Sequence, residues 1–291
     1  MIQGIIIKGY SGFYYVRSGE DTYECSLRGR FRLKDQNFLP GDRVKIASVG
    51  RGRGVIEEVL PRRNELIRPP VANVDQVVIV QAFARPEPNL ALLDRLLVLT
   101  EHENIEPLIC FNKVDLVAET IKTDIETVYR GAGYRVVVTG ARAGIGIEEL
   151  QGQLAARVSV FAGPSGVGKS SLLNAIQPGL LLKTGEVSQK IKRGRHTTRH
   201  VELLPLDNGG LVADTPGFSS LNLPVMRREE LVTCFPEMIG KAHLCRFSSC
   251  LHKLEPECAI KAAVEAGEVD QRRYRHYLEF LAEVMENEKK Y

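Results

Sequence analysis

The sequence predicts a multidomain protein: a small β-barrel, an α/β domain and a mostly α-helical domain, in that order. Three observations predict it. Short apolar runs broken by turn residues fill the first 68 positions. Strand-like and helix-like runs then alternate through the middle. Three cysteines and a histidine crowd into a helical C-terminal stretch. A chain of 291 residues can build two or three cores. Its 44% hydrophobic and 26% charged content is that of a soluble globular protein.

In residues 1–68 the strand-like runs are Ile5-Ile6-Ile7, Phe13-Tyr14-Tyr15-Val16, Tyr23-Glu24-Cys25, Val44-Lys45-Ile46 and Gly54-Val55-Ile56. Ser18-Gly19, Pro40-Gly41-Asp42 and Gly50-Arg51-Gly52 separate them as turns. Five short strands in this length suit an oligonucleotide-binding (OB) fold, although an SH3-like barrel gives a similar pattern. This part holds 13 Lys and Arg against 8 Asp and Glu, a net of +5, whereas residues 226–291 hold 11 against 12. A basic first domain favours a phosphate-rich partner such as RNA.

Residues 62–70, with two prolines and mixed charge, read as a linker. Beyond them, residues 76–81, 107–111, 135–138 and 158–162 are strand-like, and residues 90–102 and 118–130 have helical spacing. The alternation implies a largely parallel sheet with helices on both faces, over a domain of residues 69–225. From residue 226 the chain is helical, interrupted by the cysteine cluster. Residues 271–289 form a terminal helix whose Tyr274, Tyr277, Leu278, Leu281 and Val284 make one core-facing stripe.

The middle domain carries a phosphate loop, Gly163-Pro164-Ser165-Gly166-Val167-Gly168-Lys169-Ser170, between a strand and a helix that opens with Ser171. Its glycines let successive N–H groups face phosphate, Lys169 reaches the β- and γ-phosphates, and Ser170 ligates Mg²⁺. Asn112-Lys113-Val114-Asp115 follows another strand. The Asp115 carboxylate can accept from the guanine N1 and exocyclic amine, an edge that adenine lacks. Asn112 would hold the base and its loop, and the Lys113 stem would lie over the ring. Thr139-Gly140-Ala141, after a further strand, would offer a backbone amide to the guanine oxygen. Asp214-Thr215-Pro216-Gly217 places a carboxylate for Mg²⁺ and a Gly217 N–H for the γ-phosphate.

These motifs stand in rotated order. The guanine tetrad precedes the phosphate loop, whereas an ordinary GTPase has the loop first, so the sequence predicts a circularly permuted P-loop GTPase domain. Between the phosphate loop and Asp214 lies the basic stretch Arg193-Gly194-Arg195-His196-Thr197-Thr198-Arg199. Thr197 or Thr198, with Thr198 preferred on spacing, would complete the Mg²⁺ shell when GTP is bound. Phe218 stands where many GTPases place a water-orienting glutamine, which predicts slow intrinsic hydrolysis. His196 is a candidate catalytic group, or alternatively a contact to RNA phosphate.

Cys245, Cys250, His252 and Cys258 supply three thiolates and an imidazole, a complete tetrahedral set for one structural Zn²⁺, with His243 as an alternative ligand. The other cysteines are dispersed, which argues against a disulfide framework. The apolar start, Met1-Ile2-Gln3-Gly4-Ile5-Ile6-Ile7, is too short for a membrane span and lacks a basic front. The expectation is a cytoplasmic protein with no membrane partner.

Taken together, the rotated motifs, the 193–199 loop, the cysteine and histidine spacing and the stretch Cys25-Ser26-Leu27-Arg28-Gly29-Arg30-Phe31-Arg32 leading to Gly41-Asp42 closely resemble the circularly permuted GTPases of the ribosome small-subunit-dependent GTPase A (RsgA) family. The resemblance covers nearly the whole chain. It implies an OB-fold domain, a GTPase domain and a zinc domain in a monomer that binds GTP and GDP, the 30S ribosomal subunit and 16S rRNA. It further implies late small-subunit maturation, with hydrolysis stimulated by the subunit. A passive RNA-binding scaffold and a tRNA-modification GTPase are the alternatives, and the sequence shows no catalytic centre for base chemistry. The motif order predicts that the zinc domain changes position between GTP and GDP states, because the segment after Gly217 leads directly into it.

Overall fold

The computed structural model describes residues 1–29, 37–67, 69–180, 201–213 and 222–289. The first five strands are β1 (Ile2–Tyr10), β2 (Phe13–Ser18), β3 (Asp21–Leu27), β4 (Arg43–Gly50) and β5 (Arg53–Val59). They close into a barrel of order β1-β2-β3-β5-β4, with β4 returning to pair β1. Every pairing is antiparallel except β3 with β5. Ile6, Val16, Cys25, Val44, Ile46 and Ile56 are fully buried inside it. One inward residue in two is what a strand with one buried face requires. The closed five-stranded barrel is OB-like, the first of the two barrels that the count of short strands allowed.

Residues 62–70 are more than a linker. Strands β6 (Glu65–Ile67) and β7 (Pro70–Ala72) pair as a small antiparallel ribbon with Leu66 and Val71 buried. Arg62 grips the fully buried Asp42 carboxylate through Nε (2.7 Å) and Nη2 (2.9 Å), and Asn73 Nδ2 donates to Gly41 O at 2.9 Å. Pro69 lies in the turn and Pro70 opens β7, a first-residue position where a strand tolerates a missing N–H donor. The ribbon thereby fastens the barrel to the α/β domain.

The central sheet has order β10-β9-β8-β11-β13-β12. Its strands are β8 (Gln76–Ala82), β9 (Glu106–Asn112), β10 (Arg135–Val138), β11 (Val158–Ala162), β12 (Leu203–Pro205) and β13 (Leu211–Ala213). All neighbours are parallel except β12 with β13. Every residue of β8 and β11 is buried, as expected of central strands covered on both faces. Helices α1 (Leu90–His102), α2 (Glu119–Gly131), α3 (Ile147–Leu154) and α4 (Lys169–Ile176) connect or flank them. Side chains of β8 alternate between two cores: Val77 and Ile79 on one face, followed by Phe83 just past the strand, and Val78, Val80 and Ala82 on the other.

The barrel docks through β1. Ile7 joins the core cluster that contains Leu203 of β12, and Lys8 pairs with Glu202 at 3.2 Å. At the other end, α5 (Pro236–Ala242), α6 (Ala259–Glu265) and α7 (Gln271–Glu288) enclose a core with Tyr277, Phe280, Leu281 and Val284. The predicted stripe on α7 is found, with Tyr274 and Leu278 partly buried beside it. The sequence reading missed Arg273 and His276, which are buried on the same helix. Arg273 bonds Asp94 of α1 (2.7 Å) and Glu237 of α5 (2.7 and 2.9 Å). His276 Nδ1 lies 2.6 Å from the second Asp94 oxygen, and Tyr129 donates to the first at 2.9 Å. The guanidinium also lies over the rings of Phe235, Tyr134 and Tyr129. Burial opposes the Arg273 charge, but Asp94, Tyr134 and Glu237 reverse that effect and hold it well above its ordinary value. Among the described residues, no helix is long and apolar enough to cross a membrane.

Candidate nucleotide site and metal cluster

The parallel strands β8, β9, β10 and β11 release their loops at one edge of the sheet, where α/β folds bind ligands. The phosphate loop runs from the end of β11 into α4. Gly163 has φ +131°, and a Cβ there would lie 2.1 Å from Val80 O. Gly168 has φ +101°, and a Cβ would lie 2.4 Å from Asn112 Nδ2. Both positions therefore exclude any side chain, for backbone reasons and for space. Lys169 Nζ donates to Gly163 O (2.8 Å) and Pro164 O (2.9 Å), so its ammonium is drawn back across the loop. Ser170 and Ser171 occupy the first turn of α4.

Asn112 is buried at the end of β9. Its Nδ2 donates to Val167 O at 2.9 Å, and its Oδ1 accepts from Thr139 Oγ1 and Ala141 N, both at 3.2 Å. One amide thus fastens the tetrad, the β10 loop and the phosphate loop together. These side-chain bonds are all internal, so Asn112 acts on the loop half of its expected role. Lys113 takes a left-handed conformation, and its Nζ donates to Gly166 O at 2.7 Å and to Arg85 O. Partial burial, then the nearby Arg142 guanidinium, lower its pKa from the ordinary value. Asp115 is exposed in the short 3-10 turn Val114–Leu116.

In the β10 loop the three candidate amides differ. Thr139 N donates to Phe111 O (2.8 Å) and Gly140 N to Ile145 O (2.9 Å), while Ala141 N makes the longer 3.2 Å bond to Asn112 Oδ1. Of the three, Ala141 has the weakest internal partner. The sequence reading missed the loop after β8. Arg85 O is tied to Gly166 O through Lys113 Nζ, and Pro86 Cδ lies 3.8 Å from where a Gly166 Cβ would be. The signal was available, since this loop leaves the carboxyl end of the strand beside β11. His196, Thr198, Asp214 and Gly217, with Thr197, Phe218 and the Arg193–Arg199 stretch, lie outside the described residues, as do Arg30 to Arg32.

The ligand atoms of Cys245, Cys250, His252 and Cys258 all lie within 4.8 Å of one another. Cys245 Sγ and Cys258 Sγ are each 3.5 Å from His252 Nδ1 and 3.8 Å from each other. A tetrahedral zinc with Zn–S of about 2.3 Å and Zn–N of about 2.0 Å has edges of about 3.8 Å for S···S and about 3.5 Å for S···N. The donor set and its spacing therefore fit a zinc ion. Among the described residues His243 is outside the cluster. The fold supports the ligands from behind: Tyr274 donates to His252 O at 2.6 Å, and Tyr277 to Leu251 O at 3.1 Å. Glu255 accepts the amides of Leu251, Lys253 and Leu254 at 2.8–3.0 Å. These backbone bonds act against partial burial and hold its carboxyl at about 2.

Comparison with known proteins agrees with this architecture. A model of the RsgA N-terminal domain matches residues 3–56, and one of the RsgA GTPase matches residues 59–224. The small ribosomal subunit biogenesis GTPase RsgA of Moorella thermoacetica is 56% identical over 290 residues, spanning 100% of both chains. Its namesake from Geobacillus thermodenitrificans is 48% identical, again over 100% of both. Among solved structures, YjeQ from Thermotoga maritima superposes with a TM-score of 0.86 at 42% identity, covering 98% of each chain. YloQ, described as a circularly permuted GTPase, gives 0.84 at 42% identity, covering 99% of this chain and 96% of its own. The chain belongs to the RsgA GTPase family and is a GTP hydrolase with a circularly permuted P-loop domain.

Proposed function

We propose that this GTPase binds the 30S ribosomal subunit and its 16S rRNA, acts late in small-subunit maturation, and leaves when the subunit stimulates GTP hydrolysis. The observation that carries the nucleotide half of this reading is the Asn112 staple, which holds the guanine tetrad against the phosphate loop. The ribosomal half is supported by relatives named small ribosomal subunit biogenesis GTPases that align along the whole chain. The basic OB-like barrel is suited to the phosphate-rich partner.

In this reading Asp115 accepts from the guanine edge, the Lys113 stem covers the ring and the Ala141 amide meets the guanine oxygen. The phosphate loop wraps the phosphates, and Lys169 turns outward to the β- and γ-oxygens. Mg²⁺ would neutralise the phosphate charge, held by Ser170 together with Asp214 and Thr198. His196 or an RNA group orients the water, and Gly217 senses the γ-phosphate. Residues 1–68, 69–225 and 226–291 serve as the RNA-binding, GTPase and zinc domains of a cytoplasmic monomer.

Purified protein is expected to hydrolyse GTP slowly alone and at least about tenfold faster with 30S subunits, in line with the gains that a supplied catalytic group gives GTPases. Equal rates with and without subunits would overturn the stimulation and release steps. One zinc per chain is assigned to Cys245, Cys250, His252 and Cys258. Stripping it with a strong chelator is expected to lower the melting temperature, because binding energy at a structural zinc is folding energy. Metal analysis with a thermal melt checks this, and an unchanged melt after complete metal loss would overturn it.

A further inference from the structure

The geometry points to Ile145 as a specificity-determining residue of the nucleotide site, an apolar wall that shields the hydrogen bonds between Asp115 and the guanine edge from water. The inference rests on the guanine reading of Asp115 given above. Gly140 and Ile145 face each other across a two-residue bridge, with Gly140 N to Ile145 O at 2.9 Å and Ile145 N to Gly140 O at 3.2 Å. A Cβ on Gly140 would lie 3.0 Å from Asp115 Oδ1 and 3.5 Å from both Cβ and Cδ1 of Ile145. The carboxylate oxygen and the isoleucine side chain therefore share the space over one α-carbon, and Gly140 leaves that space open.

Two features make this more than packing. Ile145 is 46% exposed, a branched apolar side chain on a surface loop where core formation does not require it. Asp115 is exposed, and the Lys113 ammonium acts on its carboxylate through charge. A fully hydrated carboxylate discriminates poorly, because water replaces each bond that a wrong base fails to make. Removing water from one side raises the worth of the bonds that guanine makes and the cost of leaving them unmade. Gly140 has a matching role, since a Cβ there would crowd Asp115 Oδ1 at 3.0 Å and shift it slightly, while meeting Ile145 at ordinary contact distance.

The test compares GDP, IDP and ADP binding to the full chain by displacement of a fluorescent guanine nucleotide. IDP lacks only the exocyclic amine that Asp115 accepts. Ile145→Ser is expected to weaken GDP about tenfold and IDP about threefold or less, narrowing the GDP/IDP ratio, as partial hydration of a charge-assisted bond implies. Ile145→Val should keep the wild-type ratio, and Gly140→Ala should narrow it. The melting temperature is recorded for each variant, so that a general loss of structure is seen as such. Equal weakening of GDP and IDP by Ile145→Ser, or no change in either, would overturn the proposal while leaving the guanine reading intact. A wild-type protein that binds GDP, IDP and ADP alike would overturn the guanine reading, and the proposal with it.

Discussion

Replacing Lys169 by alanine is expected to lower the rate of GTP hydrolysis by at least about 10²-fold, the usual cost of losing one preorganised charge that faces a transition state. A second consequence concerns binding. Lys169 Nζ bridges Gly163 O and Pro164 O, so the same side chain braces the loop that must receive the phosphates. Lys169 must leave this brace to reach the phosphates, so the tie adds nothing to affinity; Lys169→Ala should still weaken GDP as well as GTP, because the cation that faces the β-phosphate is lost. Lys169→Arg keeps the charge, but its planar, wider head does not fit where the compact ammonium meets the phosphates, so little rescue is expected. Single-turnover hydrolysis and equilibrium GDP binding separate the two effects. A variant that hydrolyses GTP normally would remove Lys169 from the phosphate site.

The second large effect lies far from the nucleotide. Arg273→Met should destabilise the protein by about 3–5 kcal/mol, the cost of breaking a buried ion pair from one side. Asp94 and Glu237 would be left buried without their cation, and three aromatic rings would lose the guanidinium that packs on them. A melting temperature lower by roughly 10 °C is expected for a protein of this size. Asp94→Asn should do comparable damage, since Asp94 also receives Tyr129 and His276. A double variant should cost less than the sum, because the two residues act in one network. An unchanged melt for Arg273→Met would show that the cluster is not a structural hub.

This hub also bears on how the domains move. The motif order predicts that the zinc domain shifts with nucleotide state. In the structure that domain is clamped to α1 through Asp94 and through the Arg95–Glu283 pair at 2.7 Å, and to α2 through Arg272–Asp124 at 2.6 Å. A shift that tore these contacts would expose buried charge. A response to GTP that kept these contacts would carry α1 and α2 along with the zinc domain. Leu223, close after the Asp214–Gly217 motif in sequence, already packs in the C-terminal core.

Much was legible in the sequence because the information is local. The five barrel strands followed from alternation and turn residues, and the phosphate loop from glycines at fixed spacing between a strand and a helix. The zinc cluster followed from four donors within fourteen residues, since a short loop brings nearby ligands together whatever the rest of the chain does. The linker expectation over residues 62–70 went only halfway, because the two-strand ribbon there depends on a partner, Asp42, twenty residues away from Arg62.

What only the tertiary structure decided is which distant groups meet. Asn112 reaches Val167 across fifty-five residues, and that contact, which neither motif shows alone, holds the two loops together. Arg273 lies outside the apolar stripe read on its helix, yet it is buried where Asp94, 179 residues earlier, supplies its counter-charge. Nothing in the sequence marks a role for Ile145, and the bridge to Gly140 is what brings its side chain and Asp115 Oδ1 over the same α-carbon. Composition and periodicity fix how each segment folds. The pairing of buried polar groups is settled when the segments pack, since each such group must find its partner wherever the chain has placed it.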